Sequence, residues 1–292
     1  MRGPNHICSV FRSRFSYSNP DWLSTRDRLK RRVKQVLPTD FRRIRVYCVG
    51  LERTGTTHIS SLFSKYRVWH EPDVSCLLPV HREEQMPSAA WLRSRDRALR
   101  LEVESSHLLG PIVGALAKTF PQSTFICTAR EPVSWVRSVW RWTYPDMPGM
   151  RHNAERTEAH KSWAAMMHTN WHAMMNAYYG GHEHQSEILK ECGLYSLKGY
   201  FSKYASHYRG ILESVPSDRL LVVRTASLSE RISQIAKFVD VKESTLTPPE
   251  KRVNRSTSKS APFDAVEDAL IKSQADKYCG HVWGQLLERS RS

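Results

Sequence analysis

The chain has 292 residues, of which 40% are hydrophobic, and its 44 Lys and Arg against 29 Asp and Glu give a formal net charge of +15. This size allows one large α/β domain and does not require two, and the charge favours polyanionic ligands such as nucleotides, nucleic acid, sulfated glycans or anionic membrane surfaces. No apolar run approaches the ~20 residues of a membrane-spanning helix, which excludes a helical membrane protein.

A basic segment opens the chain at residues 1–44. Residues 1–45 contain twelve Lys or Arg against three Asp, which is typical of a solvated basic arm or helix. No apolar stretch of the kind found in secretory signals follows Met1, so we expect a protein without a transmembrane segment. The six cysteines are scattered without CxxC pairs, which indicates reduced thiols and a cytoplasmic location.

The first predicted unit is a strand at residues 45–50 followed by a helix at 56–66. The loop between them has two glycines, Gly50 and Gly55, at the spacing of a nucleotide triphosphatase loop. Such loops bind phosphate through backbone N–H groups. Thr56 stands where a triphosphatase has its Lys, and the cation of this loop is Arg53, before the second glycine. The loop therefore predicts a phosphate site that does not serve triphosphate chemistry.

The second predicted unit has a helix at residues 107–120, a strand at 123–128 and a helix from Pro132 to about Trp142. Arg130 lies at the end of this strand, and Ser138 lies about two helical turns further on. A planar guanidinium can donate two hydrogen bonds to one phosphate, and a hydroxyl on the adjoining helix can add a third.

The remaining pattern completes an α/β domain over residues 45–292. Residues 143–193 interrupt the alternation and are interpreted as a helical insertion, whose Trp- and Met-rich part is expected to line or cover an acceptor pocket. A helix at 195–213, a strand at 219–224 and a helix at 228–239 follow. Strands separated by helices predict a single domain with a mostly parallel central sheet flanked by helices.

The phosphate loop carries a resemblance to a known family. Its five residues Arg53, Thr54, Gly55, Thr56 and Thr57 resemble the 5'-phosphosulfate loop of sulfotransferases that use 3'-phosphoadenylyl sulfate (PAPS). The resemblance implies a fold like that of the P-loop triphosphatases. It also implies that these residues bind the 5'-phosphosulfate, that the product is 3'-phosphoadenosine 5'-phosphate (PAP), and that no metal is needed.

Two further segments are similar to the same family. Arg130 and Ser138 match its Arg-x-Pro motif, in which Ser follows Arg by eight residues, and the resemblance implies that they bind the 3'-phosphate. Residues 251–259 resemble the basic loop that closes over the nucleotide in many members. That similarity implies nucleotide contacts for Arg252, Asn254 and Arg255.

Two residues compete for the role of catalytic base. His107 precedes Arg130 by 23 residues, which is similar to the separation in cytosolic members of the family. Glu71 follows Gly55 by sixteen residues, where Golgi and several bacterial members place a catalytic carboxylate. Either side chain can accept a proton near neutral pH. The run His70-Glu71-Pro72 resembles the branch of the family that uses a carboxylate, and this resemblance slightly favours Glu71.

The sequence therefore predicts sulfuryl transfer from PAPS to a hydroxyl or amine of a glycan, a lipid or a small molecule. One alternative is a P-loop nucleotide kinase or triphosphatase, which the Thr at position 56 disfavours. The other is a basic polyanion-binding protein without enzymatic activity. A nucleic-acid binder would interleave aromatic and basic residues on one sheet face, and because that pattern is missing we expect no specific nucleic-acid partner. The acceptor and the oligomeric state are left open.

Overall fold

The computed structural model describes residues 42–72, 77, 86–143, 188–189, 192, 194–249 and 262–291. Nearly all of the predicted basic segment 1–44 and most of the predicted insertion at 143–193 lie outside the described residues. The basic loop with Arg252, Asn254 and Arg255 also lies outside them.

A sheet of five parallel strands forms the centre of the domain. Each strand has three to six residues: β1 Val46–Cys48, β2 Val68–His70, β3 Val103–Ser105, β4 Thr124–Ala129 and β5 Leu220–Arg224. Their order is β2-β3-β1-β4-β5, and in the register Val46 of β1 pairs with Val103 and Thr124. The predicted α/β fold with a mostly parallel sheet flanked by helices is thereby confirmed.

Seven α-helices accompany the sheet in the described residues. They are α1 Thr56–Leu62, α2 Ala89–Leu99, α3 Val113–Thr119, α4 Pro132–Thr143, α5 Leu197–Ser214, α6 Ile232–Phe238 and α7 Asp268–Arg289. The predicted helix at 107–120 is divided, because a 3-10 helix at His107–Ile112 contains Pro111 and only α3 is α-helical. The predicted helix at 228–239 likewise begins as a 3-10 helix, Thr225–Glu230.

Alternating strand residues bury apolar side chains on both faces of the sheet. Tyr47 and Phe125 face a core that also contains Trp135 and Tyr200 from α4 and α5. Val46, Cys48, Ile126 and Leu221 belong to a second core with Ile59 of α1 and Ile235 of α6. The helices therefore cover both faces, and the loops after the strands remain at the edge. Among the described helices, none combines the length and the apolar character of a membrane span.

Candidate functional site

The carboxyl ends of the five strands meet at one edge of the sheet, since all of them run in the same direction. In open α/β sheets, ligands bind in the crevice at this edge. The residues that follow the strands here include Glu71 after β2, His107 shortly after β3 and Arg130 after β4. The fold thus brings the predicted phosphate and proton-transfer residues to the same edge.

The loop between β1 and α1 is a tight turn that depends on a glycine. Gly55 has φ 109°, and a Cβ placed on it would lie 2.4 Å from Leu228 Cδ1. Both the backbone conformation and the lack of space therefore require glycine here. Arg53 also has a positive φ, 63°, and this backbone conformation is uncommon for a residue with a side chain.

Thr54 is buried within this loop. Its hydroxyl is buried, donates to the carbonyl of Leu51 at 2.6 Å and lies 2.9 Å from Thr128 Oγ1. The carbonyl of Thr54 accepts a hydrogen bond from Thr225 Oγ1 at 2.6 Å. The Thr225 hydroxyl also lies 3.1 Å from the carbonyl of Ala129. These bonds hold Thr54 inside the loop, and a contact between Thr54 and the nucleotide stays a prediction.

Two arginines of the site lie against each other. Arg130 Nη1 donates to the carbonyl of Arg53 at 3.4 Å. Burial and the nearby positive charge of Arg130 both lower the pKa of the Arg53 guanidinium. The proximity of two cations is unfavourable by itself, and an anion bound between them would relieve it. The arrangement suits a ligand with more than one phosphate group.

The serines next to these arginines are arranged differently from the family pattern. Arg130 Nε donates to Ser134 Oγ at 2.8 Å, whereas Ser138 Oγ lies 3.4 Å from Arg53 Nε. Arg130 therefore contacts Ser134, and Ser138 contacts Arg53; the binding of a 3'-phosphate by Arg130 and Ser138 stays a prediction. Ser134 was missed in the sequence, although its i+4 spacing from Arg130 at the start of α4 was a usable signal.

The two candidates for the base form one hydrogen-bonded pair. His107 Nδ1 lies 2.8 Å from Glu71 Oε1, and His70 Nδ1 lies 3.9 Å from Glu71 Oε2. Burial raises the pKa of the Glu71 carboxyl, but the charge and hydrogen bond of His107, together with the charge of His70, outweigh it and lower the pKa to about 2. Glu71 is therefore ionised at neutral pH.

The pair differs in exposure. The Glu71 side chain is 31% exposed and the His107 side chain 9%. Glu71 also has a positive φ, 52°, a strained conformation of the kind that is concentrated at functional sites. Glu71 is the more exposed member of the pair.

Helix α5 contacts both segments that carry predicted phosphate residues, residues 49–57 after β1 and residues 128–138 from the end of β4 into α4, which are called the phosphate segments below. Four buried side chains on one face of α5 bond to them: Lys203 to the Glu52 carboxylate at 2.5 Å, His207 Nε2 to the Val49 carbonyl at 2.7 Å, Tyr204 to the Arg130 carbonyl at 2.8 Å and Tyr208 to the Thr128 carbonyl at 2.9 Å. Burial lowers the pKa of His207 to about 3, so it acts as a neutral donor. The sequence showed only an amphipathic helix here.

Comparison with known proteins gives one family match and two weak structural similarities. Residues 109–255, about half of the chain, match a family model described as a sulfotransferase domain. A search of curated proteins found no match. A solved sulfotransferase from Alicyclobacillus acidocaldarius is 13% identical, with 85% of this chain and 96% of that chain covered and a TM-score of 0.45. The sulfotransferase domain of the Synechococcus PCC 7002 olefin synthase is 14% identical, with 84% and 93% covered and a TM-score of 0.39.

Proposed function

This chain belongs to the sulfotransferase family, and on that premise we propose that it transfers a sulfuryl group from PAPS to a hydroxyl or amine of an acceptor. The observation that carries the choice of donor is the contact between Arg53 and Arg130 at the carboxyl edge of the sheet. That contact joins the Arg130 guanidinium to the Arg53 carbonyl, and the charge of Arg130 also lowers the pKa of the Arg53 guanidinium. Two cations this near, on separate loops, fit a nucleotide that has phosphate groups at both its 5' and 3' positions.

The 5'-phosphosulfate is assigned to the loop after β1. Arg53 supplies the cation, Gly55 allows the close approach of the backbone, and the hydroxyls of Thr56 and Thr57 contribute hydrogen bonds. Thr54 is assigned the shaping of this loop, because its hydroxyl is already bonded inside it.

The 3'-phosphate is assigned to Arg130 with the hydroxyl of Ser134. Ser138, which lies beside Arg53, is assigned a place between the 3'-phosphate and the 5'-phosphosulfate. The bond from Arg130 Nε to Ser134 Oγ supports this division. Arg252, Asn254 and Arg255 remain proposed contacts to the nucleotide on the resemblance of their segment alone.

The reaction we propose is an in-line displacement at sulfur. The acceptor oxygen or nitrogen forms a bond to sulfur while the bond between sulfur and the 5'-phosphate oxygen breaks, and PAP leaves with the bonding electrons. Arg53 stabilises the charge that develops on the leaving phosphate, and catalysis comes mainly from positioning and charge stabilisation.

The proton of the acceptor passes to the pair formed by Glu71 and His107. Glu71 is the more exposed member, so we assign it the contact with the acceptor and the acceptance of its proton. His107 donates a hydrogen bond to the carboxylate and holds it in place. Geometry precedes pKa in the choice of a base, and a carboxylate with a low pKa still accepts the strongly acidic proton of an attacking hydroxyl.

We also propose a cytoplasmic location. Cys48, Cys127 and Cys279, within the described part of the chain, are buried thiols outside disulfides. Such usage is ordinary for proteins in a reducing compartment.

The first test is an assay in which the purified protein transfers labelled sulfate from PAPS to a panel of glycans, lipids, phenols and alcohols. The second test measures the binding of PAP by calorimetry. We expect PAP to bind without added metal and at least one acceptor to become labelled. Magnesium-dependent ATP binding together with a failure to bind PAP would contradict the proposal and favour a nucleotide kinase.

A further inference from the structure

The imidazole of His70 connects the two halves of the proposed site. Its Nε2 lies 2.9 Å from Thr57 Oγ1 and 3.3 Å from Thr56 Oγ1. Its Nδ1 faces the Glu71 carboxylate at 3.9 Å. This residue therefore contacts the hydroxyls assigned to the phosphosulfate and also faces the pair assigned to the proton.

The direction of the hydrogen bond between His70 and Thr57 decides what Thr57 can offer a ligand. A hydroxyl has one hydrogen and two lone pairs. If the imidazole accepts the Thr57 hydrogen, only lone pairs face an incoming anion, and these repel it. If the imidazole donates from Nε2, the hydroxyl accepts that hydrogen and can point its own hydrogen at the anion.

We propose that His70 is a positioning residue that donates its Nε2 hydrogen to Thr57, so that the Thr57 hydroxyl donates to the anionic oxygens of the sulfuryl donor. The proposal rests on the function proposed above, since it assigns Thr57 a ligand. His70 acts through Thr57 and need not touch the reacting atoms.

The surroundings of His70 imply that ligand binding changes its protonation. Burial lowers the pKa of His70, the Glu71 carboxylate raises it and the charge of His107 lowers it, with a net decrease. The nearby carboxylate favours a hydrogen on Nδ1, whereas donation to Thr57 requires a hydrogen on Nε2. Only the imidazolium has both, and a bound polyanion stabilises it.

Binding of PAP is therefore coupled to uptake of a proton by His70. The ligand raises the pKa of this group, so the contribution of His70 to affinity is complete below the pKa of the unliganded protein. That contribution is lost as the pH rises through the pKa of the complex. The phosphates of PAP titrate themselves, but equally with every variant.

The experiment compares PAP binding by calorimetry in wild type, His70→Gln and His70→Asn, in two buffers of different ionisation enthalpy. The Gln amide nitrogen can take the place of Nε2, whereas the shorter Asn cannot reach Thr57. We expect His70→Asn to raise the Kd of PAP about tenfold, which is the effect of losing one hydrogen bond from an oriented donor. Gln should remain within about threefold of wild type. Both variants should take up fewer protons than the wild type on binding PAP, by the part that His70 contributes. His281→Asn, at an exposed position of α7, is the matched control.

A double-mutant cycle with Thr57→Val tests whether His70 acts through Thr57. We expect His70→Asn to add little once Thr57 is replaced, because the two changes break the same chain of hydrogen bonds. Additive losses, an Asn variant with wild-type affinity, or a Gln variant as weak as Asn would each overturn the inference while leaving the proposed function intact. Absence of PAP binding by the wild type would overturn both. Thermal unfolding of each variant shows whether it has folded.

Discussion

His107 Nδ1 lies 2.8 Å from Glu71 Oε1, and the contact fixes the tautomer of the histidine. An ionised carboxylate can only accept, so Nδ1 carries the hydrogen and donates it. The two residues come from the ends of β2 and β3, which are neighbours in the sheet. The question of which residue is the base thus becomes a question about a coupled pair.

Replacing His107 should move the acidic limb of the pH profile of kcat to higher pH. The hydrogen bond and charge of His107 hold down the pKa of Glu71, whereas burial raises it. His107→Asn removes the charge and keeps a donor near Nδ1, and His107→Leu removes both. We expect the limb to shift upward in the order wild type, Asn, Leu, by about one pH unit or more for Leu. An unchanged limb in the Leu variant would show that Glu71 is not the group that titrates.

Removal of Arg53 should affect mainly the chemical step, and removal of Arg130 should affect mainly the binding of PAP. Arg53→Ala should abolish measurable turnover, because the leaving phosphate loses its cation, while PAP still binds through Arg130. Arg130→Ala should weaken PAP by roughly tenfold to a hundredfold, as expected for a lost charged hydrogen bond. Steady-state kinetics and calorimetry separate these effects. Arg141 lies on the same helix as Ser138 and forms a partly exposed ion pair with Asp264. Arg141→Ala is the control, and we expect its turnover and its PAP affinity to match those of the wild type.

Ser134 and Ser138 can be distinguished by single substitutions to alanine. Ser134 contacts Arg130, so Ser134→Ala should raise the Kd of PAP by about threefold to tenfold, the range for one hydrogen bond. Ser138 lies beside Arg53, so Ser138→Ala should act mainly on kcat. The reverse result, with PAP affinity dependent on Ser138 alone, would support the family pattern over the arrangement seen here.

Lys203→Met should destabilise the fold strongly. The substitution leaves the Glu52 carboxylate buried at 5% exposure without its cation, and removal of one partner of a buried pair costs roughly 3–5 kcal/mol. The double variant Lys203→Met with Glu52→Gln should recover most of that loss in urea unfolding. Lys198→Met, at an exposed position of the same helix, is the control. A double variant as unstable as the single one would mean that the ion pair is not the source of the stability.

The central part of the site was predictable because its motifs lie beside strong secondary-structure signals. The strand before Gly50 and the strand before Arg130 are largely apolar, and each is followed by residues of a predicted phosphate-binding motif. The fold class followed from their alternation with helices. These patterns depend on local sequence and on neighbouring residues only.

The edge strand β2 and its neighbour β3 were missed, and the reason is visible in their composition. Each has three residues, and β3 contains Glu104, whose charge is buried against Arg95 of α2 at 2.5 Å. A short strand with a charged residue gives no hydrophobic pattern. The adjacency of these strands brings Glu71 to His107, so the two candidates for the base could be named but their contact could not be predicted.

The contacts of Ser134 and Ser138 could not be predicted for a similar reason. The sequence fixes the spacing of Ser134 and Ser138 along α4, but the direction in which Arg130 points depends on contacts from elsewhere in the chain. Tyr204 of α5 accounts for one of these, since it bonds to the Arg130 carbonyl. Long-range contacts of this kind leave no mark in the local pattern.

The four bonds from α5 to the phosphate segments affect how the protein unfolds locally. Helix α5 cannot separate from the sheet without releasing the carbonyls of Val49, Thr128 and Arg130 together. Amides of the helix and of both segments should therefore exchange their hydrogens with solvent at one common rate, as a single cooperative unit. A bound nucleotide would slow that exchange far into the helix, at residues that it does not touch.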